Sequence, residues 1–292
     1  MAIAGVVAAV DGSTPAEDAL VWASREAAMR RRPLYAVNVY DTFEDPANAS
    51  ARAGFQSISE MTGTIIQDLT PLMTAAVRRS GQADAGVTVD VLYGHPVETL
   101  LELAGTDQLL VTGSRGLGAV QGVLLGSVSQ EVAQYARGPV VVVPGGSHAV
   151  GGRVVVGVDG SPSSLAALRF AAEAAGLRQA RLVVAHAWRD PALRTYHGRT
   201  LPTAAPWREE AQATLRDSLR EGLAGVHGVK VESRLIEGPE HRALVEAAEG
   251  ADLLVVGSRG RGGWRGLLLG SVSLRCLTLS EVPVAVVPGA QD

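Results

Sequence analysis

Short, unbroken runs of valine, leucine and alanine alternate along this chain with longer segments of helical periodicity. In the first half the apolar runs lie near 3–10, 34–40, 87–92, 108–112 and 139–143, and the helix-like segments near 15–31, 57–80, 96–104 and 127–136. Runs that are apolar throughout, rather than apolar at every second position, suit strands of a parallel sheet covered on both faces. In the first helix Ala19, Trp22, Ala23 and Ala27 fall on one side, with Arg25, Arg30 and Arg31 elsewhere. Ser13 and Ser161 stand where a helix cap is expected, and Pro15 and Pro162 just inside the helix. Alternating strands and helices imply right-handed crossovers and a doubly wound α/β sheet.

The pattern occurs twice. Val6-Val-Ala-Ala-Val10-Asp11-Gly-Ser returns as Val154-Val-Val-Gly-Val158-Asp159-Gly-Ser. Gly113-Ser-Arg-Gly116, nine residues and Gly126-Ser127 return as Gly257-Ser-Arg-Gly260, nine residues and Gly270-Ser271. Pro139-Val-Val-Val-Val-Pro144 returns as Pro283-Val-Ala-Val-Val-Pro288. Such a repeat predicts two tandem Rossmann-like domains, 1–146 and 153–292, each with five parallel strands and helices on both faces. Glycine-rich 145–152 reads as the linker. The repeat offset is 148 residues at the aspartates and 144 at the glycine loops, and the polar loops 41–57 and 189–207 are the expected place for the four extra residues.

Composition narrows the class. Among 292 residues, 47% hydrophobic and 19% charged describe a globular chain long enough for two cores. A net charge of −4 gives no case for nucleic acid. Lys230 is the one lysine, so a lysine can serve a phosphate at one position only. The lone Cys276 excludes an internal disulfide and fits a reducing compartment, and its apolar surroundings suggest a buried structural thiol. The apolar segment 1–10 is too short to cross a bilayer and has no basic segment ahead of it, so it is expected to be the first strand and the protein to be cytoplasmic.

In a doubly wound sheet, ligands bind outside the carboxyl ends of the strands, where the strand order reverses. Asp11 and Gly113 both end strands there. Gly113 and Gly116 allow positive φ angles and a close approach of a ligand to the backbone. Gly126 and Ser127 then open a helix, whose first N–H groups and positive dipole end attract an anion. Ser127 and Ser129 add hydroxyls. A turn with no ligand is the competing reading, and a duplicated turn would repeat as well. Asp11 and Asp159 could accept hydrogen bonds from a ribose or base, hold Mg²⁺ through water, or cap a helix. His186, which stands where the first half has Asn38, reads as a packed strand-end histidine. A phosphate loop of the form Gly-x4-Gly-Lys-Ser/Thr and a Gly-x-Ser-x-Gly elbow are both absent, as is any histidine spacing suited to a metal.

On these residues the chain resembles the universal stress protein family in its tandem form. The resemblance rests on the two Val-Asp-Gly-Ser segments, the two Gly-x2-Gly-x9-Gly-Ser loops and the valine-rich ends. It implies the ATP-binding branch. Asp11 and Asp159 would lie by the adenosine part of ATP, and Val39 and Ala187 would offer backbone atoms to adenine. Gly113, Gly116 and Gly126 would line ribose and phosphates, with Ser127 and Ser129 on phosphate. Gly257, Gly260, Gly270, Ser271 and Ser273 would do the same in the second domain. The terminal valine strands would pair domains or subunits, implying a homodimer. The implied function is nucleotide-dependent stress regulation with no catalytic residue. The alternatives are a slow ATPase or transferase and a nucleotide-free dimerisation module. Two departures concern the second half. It reads Gly238-Pro-Glu-His241 where the first has Gly94-His-Pro96, and Trp264 stands in the second loop opposite Val120.

Overall fold

The computed structural model describes residues 4–41, 56–81, 87–116, 125–146, 151–189, 205–261 and 269–289. The chain divides into two compact units, Met1–Ser147 and His148–Asp292. In the first, β1 (Gly5–Ala9), α1 (Thr14–Arg30), β2 (Leu34–Tyr40), α2 (Ile58–Ser80), β3 (Val87–Tyr93), α3 (Pro96–Ala104), β4 (Gln108–Gly113), α4 (Ser127–Tyr135) and β5 (Val140–Val143) follow one another. The second repeats the order with β6 (Arg153–Gly157), α5 (Pro162–Arg178), β7 (Arg181–Trp188), α6 (Ala205–Gly222), β8 (Lys230–Glu237), α7 (Glu240–Ala247), β9 (Leu253–Gly257), α8 (Ser271–Leu279) and β10 (Val284–Val287).

Each unit is a five-stranded parallel sheet, in the orders β3-β2-β1-β4-β5 and β8-β7-β6-β9-β10. The order reverses beside the first strand of each unit: β1 pairs with both β2 and β4, and β6 with both β7 and β9. A crevice opens at such a point because the crossovers leave in opposite directions. The central strands are buried on both faces. Val6 and Ala8 in β1, Leu109, Leu110 and Val111 in β4, and Val154, Val155 and Val156 in β6 are all 0% exposed. This is why the sequence shows apolar runs rather than alternation.

The helix starts follow local chemistry. Ser13 Oγ accepts from the Ala16 N–H at 3.4 Å and Ser161 Oγ from the Ser164 N–H at 3.2 Å, each just ahead of a proline at the helix start. Arg31 and Gln179 end α1 and α5 in the left-handed region, with φ of 53° and 52°. Ala19, Trp22, Ala23 and Ala27 are all buried, as the helical pattern predicts. The length difference between the halves is not confined to the polar loops. α2 has 23 residues and α6 has 18, so much of it lies in these helices, while 42–55 and 190–204 lie outside the described residues. Helix length follows from packing against the sheet, which a loop-composition argument does not see.

Cys276 in α8 is 0% exposed, and burial pushes its thiol up to about 12. The native protein should therefore resist a thiol-specific reagent at neutral pH and react at once when unfolded in denaturant, since the thiolate is the reactive form. Fast labelling of the native protein would contradict this packing. Among the described residues no helix is long and apolar enough to cross a membrane.

Candidate functional site

The two reversal points each open into a cavity. That of the first unit measures about 430 Å³ and that of the second about 550 Å³, within the range that holds a small organic ligand. The first is built from the ends of β1, β2 and β4, from Pro96 and Leu100 of α3, and from the start of α4. Asp11, Val39, Gly113, Gly116, Gly126, Ser127 and Ser129 all line it. The second is lined by Asp159, Ala187, Gly257, Gly260, Gly270, Ser271 and Ser273. The sequence motifs thus meet in one place per unit.

The glycines meet there for reasons other than those expected. The loop glycines 113, 116, 126, 257, 260 and 270 are not among the glycines with positive φ. Gly113 is glycine because α1 lies against it. A Cβ would come within 2.7 Å of the Pro15 carbonyl carbon and 2.8 Å of the Ala16 nitrogen. At Gly257 the obstacle is Ser163 and the Ser164 nitrogen, at 2.8 and 2.9 Å. Gly116 and Gly260 face the aspartates, whose Oδ2 a Cβ would approach to 2.5 Å in both units.

Gly126 and Gly270 are different. Both hold the extended conformation of an ordinary helix cap, φ −73° and −75°, where any residue fits. Among the described residues, a Cβ at Gly126 would meet nothing closer than 3.5 Å, and one at Gly270 nothing closer than 3.4 Å. Neither the backbone conformation nor the packing of the described residues requires glycine at these two positions. Their effect is to leave the helix ends bare. Among the described residues no side chain caps α4 or α8, and neither helix has an acidic residue in its first turn. By contrast Ser13, Ser57 and Ser161 cap α1, α2 and α5.

The N–H groups of the two cap glycines are themselves bonded. The Gly126 N–H donates to the Ser114 carbonyl at 2.8 Å and the Gly270 N–H to the Ser258 carbonyl at 2.7 Å. The first intrahelical bonds are from the Gln130 N–H to Gly126 and from the Leu274 N–H to Gly270, both at 3.0 Å. The N–H groups of Ser127, Val128 and Ser129, and of Ser271, Val272 and Ser273, thus precede any intrahelical acceptor, and these six residues line the cavities. Ser129 and Ser273 differ from expectation in one respect. Their hydroxyls donate to the Gly113 and Gly257 carbonyls, each at 2.6 Å, so their O–H groups brace the loop.

The aspartates tie strand end to loop. Asp11 Oδ1 accepts from the Ser13 N–H at 3.0 Å and from its hydroxyl at 2.6 Å. Asp159 Oδ1 accepts from the Ser161 N–H at 3.0 Å and Oδ2 from the Arg261 N–H at 2.9 Å. The helices are capped by the serines, and each aspartate holds its serine. Burial pushes the Asp159 carboxyl upward, but the bonds from Ser161 and Arg261 outweigh it and hold the group below its usual 3.8. A folded value below the unfolded one adds stability in full above 3.8, and that stability is lost as pH falls from there through the folded value. Denaturation of Asp159→Asn, followed from neutral pH into acid, should therefore show a shallower loss of stability below 3.8 than the parent. Identical acid profiles would contradict it.

Asn38 Nδ2 donates to the Val10 carbonyl at 2.8 Å, and His186 Nδ1 to the Val158 carbonyl at 2.6 Å. His186 is thus a packed strand-end histidine that also lines the second cavity. Lys230 starts β8, at the end of the sheet remote from the site. Cationic character comes instead from Arg115 in the first cavity and from Arg259 and Arg261 in the second. The first two sit in both Gly-Ser-Arg-Gly segments and could have been found there. At the displaced proline, Glu240 lines the second cavity as Pro96 lines the first, and pairs with Arg189 at 2.8 Å. Trp264 and Val120 lie outside the described residues. Among the described residues no group of three or more His, Cys, Asp or Glu could hold a metal. Both Asp159 oxygens already accept N–H bonds.

A sequence model of the universal stress protein family matches residues 5–144 and again 152–288. The chain belongs to the universal stress protein family. A universal stress protein of Mycolicibacterium smegmatis is 34% identical, covering 97% of this chain and 96% of its own. One of Mycobacterium tuberculosis is 35% identical, covering 99% and 96%. A universal stress protein structure from Archaeoglobus fulgidus covers 99% of this chain and 97% of its own with a TM-score of 0.69. At 21% identity it supports the fold alone. The tandem universal stress architecture thus accounts for the duplicated sequence.

Proposed function

We propose that this universal stress protein is an ATP-binding regulator, with one adenine nucleotide held in each half, 1–146 and 153–292, and with its conformation or partner binding set by nucleotide. One observation carries this reading: Gly126 and Gly270 stand at helix caps where neither the backbone nor the described neighbours call for glycine and no described side chain makes a cap bond, so the first three N–H groups of each helix would be open to an anion. A phosphate group there meets several donors and the dipole end together. The base and ribose would lie along the strand ends, between Asp11 and Val39 in the first half and Asp159 and Ala187 in the second. A Mg²⁺ ion would come with the phosphates.

A regulatory role is favoured over rapid catalysis by the state of the acid–base groups. Asp11 and Asp159 are engaged by N–H or O–H donors, His186 Nδ1 by a carbonyl, and Glu240 by Arg189. The protein would act in the cytoplasm, as a homodimer formed through the terminal valine strands. Calorimetric titration with ATP tests the reading, with two molecules bound per chain expected. Single-turnover assay of the bound ATP should then show slow hydrolysis at most. Absence of binding would overturn the proposal, and fast turnover would transfer it to an enzyme.

A further inference from the structure

Among the described residues, one polar side chain lining the first cavity is left without a partner. Thr112, next to the last residue of β4, is 3% exposed and lines the cavity, and its Oγ1 is buried with no hydrogen-bond partner among the described residues. Strand geometry turns it the right way. Gly113 faces α1, so the residue before it faces the opposite side of the sheet, toward α3, α4 and the cavity. A buried hydroxyl with no partner is unfavourable, and such groups in native proteins call for a reason. The repeat sharpens the point. The corresponding residue, Val256, lines the second cavity with the same shape and no hydroxyl.

The surroundings say what part of a ligand would answer it. The anion donors sit at the start of α4. Thr112 belongs to the strand floor, with the apolar Val37 of β2 and Leu100 of α3 also lining this cavity. An apolar wall with one hydroxyl suits the edge of a heterocycle or a sugar hydroxyl better than a phosphate. We infer that Thr112 is a specificity-determining residue of the first site, hydrogen-bonding the nucleoside part of the ligand, and that the two sites of the chain are unequal because Val256 offers no such bond. The inference rests on the nucleotide reading of the cavities.

The test uses the full chain with the second site blocked by Gly270→Asp, and ATP, adenosine and inorganic triphosphate as probes. Adding Thr112→Val should weaken ATP and adenosine alike, by about tenfold, the effect of one neutral hydrogen bond. Triphosphate affinity should not change. The ligand-free melting temperature should hold or rise, since an unpartnered hydroxyl has been replaced by an isosteric methyl. With the first site blocked by Gly126→Asp, Val256→Thr should strengthen ATP binding. Unchanged ATP affinity on Thr112→Val, or a loss seen with triphosphate as well, would overturn the inference and leave the nucleotide reading standing. A Gly270→Asp parent that binds no ATP would overturn both.

Discussion

The double variant Gly126→Asp, Gly270→Asp should lose ATP affinity by at least about 100-fold while its ligand-free form gains stability. The two effects have one cause. An aspartate at either position takes the cap conformation already present, and its Cβ would meet no described residue closer than 3.4 Å. Its carboxylate would accept the N–H groups of the first turn, which adds a few tenths of a kcal/mol over a glycine cap. The same carboxylate would occupy the anion cradle and repel phosphate. Hydrogen bonds to a charged group contribute about 1.5–3 kcal/mol each, so losing two or three accounts for the fall. Gly→Ser at both positions should give an intermediate loss, because a hydroxyl fills the cap without the charge. Stability rising with unchanged ATP affinity would mean that the helix ends do not hold the nucleotide.

Gly113→Ala should instead destabilise the protein whether or not nucleotide is present, by about 3 kcal/mol, toward the upper end of what overpacking costs. The new Cβ would meet backbone atoms of Pro15 and Ala16 at 2.7–2.8 Å, and a backbone cannot swing aside as a side chain can. Either the first turn of α1 or the end of β4 must move. Both carry the site, because the capping Ser13 that Asp11 holds lies just ahead of that turn. Urea denaturation of the ligand-free protein measures the effect, and a loss below about 1 kcal/mol would contradict the packing. The contrast with Gly126 is the point. Two glycines of one motif serve opposite purposes, one making room for the protein's own helix and the other leaving a helix end bare.

That contrast also marks where sequence reading stops. The strands were legible because burial on both faces forces unbroken valine and leucine runs, as in Val140–Val143. The starts of α1 and α5 were legible because a serine cap and a proline act within one turn. The repeat carried these readings to the second half, and the strand-end rule brought Asp11 and Gly113 to one edge. What escaped was set by neighbours distant in sequence. Gly113 owes its identity to Pro15, about a hundred residues earlier, and not to a positive φ. The Ser129 hydroxyl turns inward because the Gly113 carbonyl lies 2.6 Å away once the loop has folded back. Thr112 looked like one more strand residue, since only the finished cavity shows its hydroxyl unanswered. The arginines of the two Gly-Ser-Arg-Gly segments were in plain view, but lysine was the cation sought.

Backbone amide spectra recorded during an ATP titration test the central claim most directly. The N–H resonances of Ser127, Val128 and Ser129, and of Ser271, Val272 and Ser273, should shift downfield and gain protection from exchange, while those of the serine-capped start of α1 move little. If ATP binds and these six signals stay in place while others move, the nucleotide is held elsewhere and the account fails.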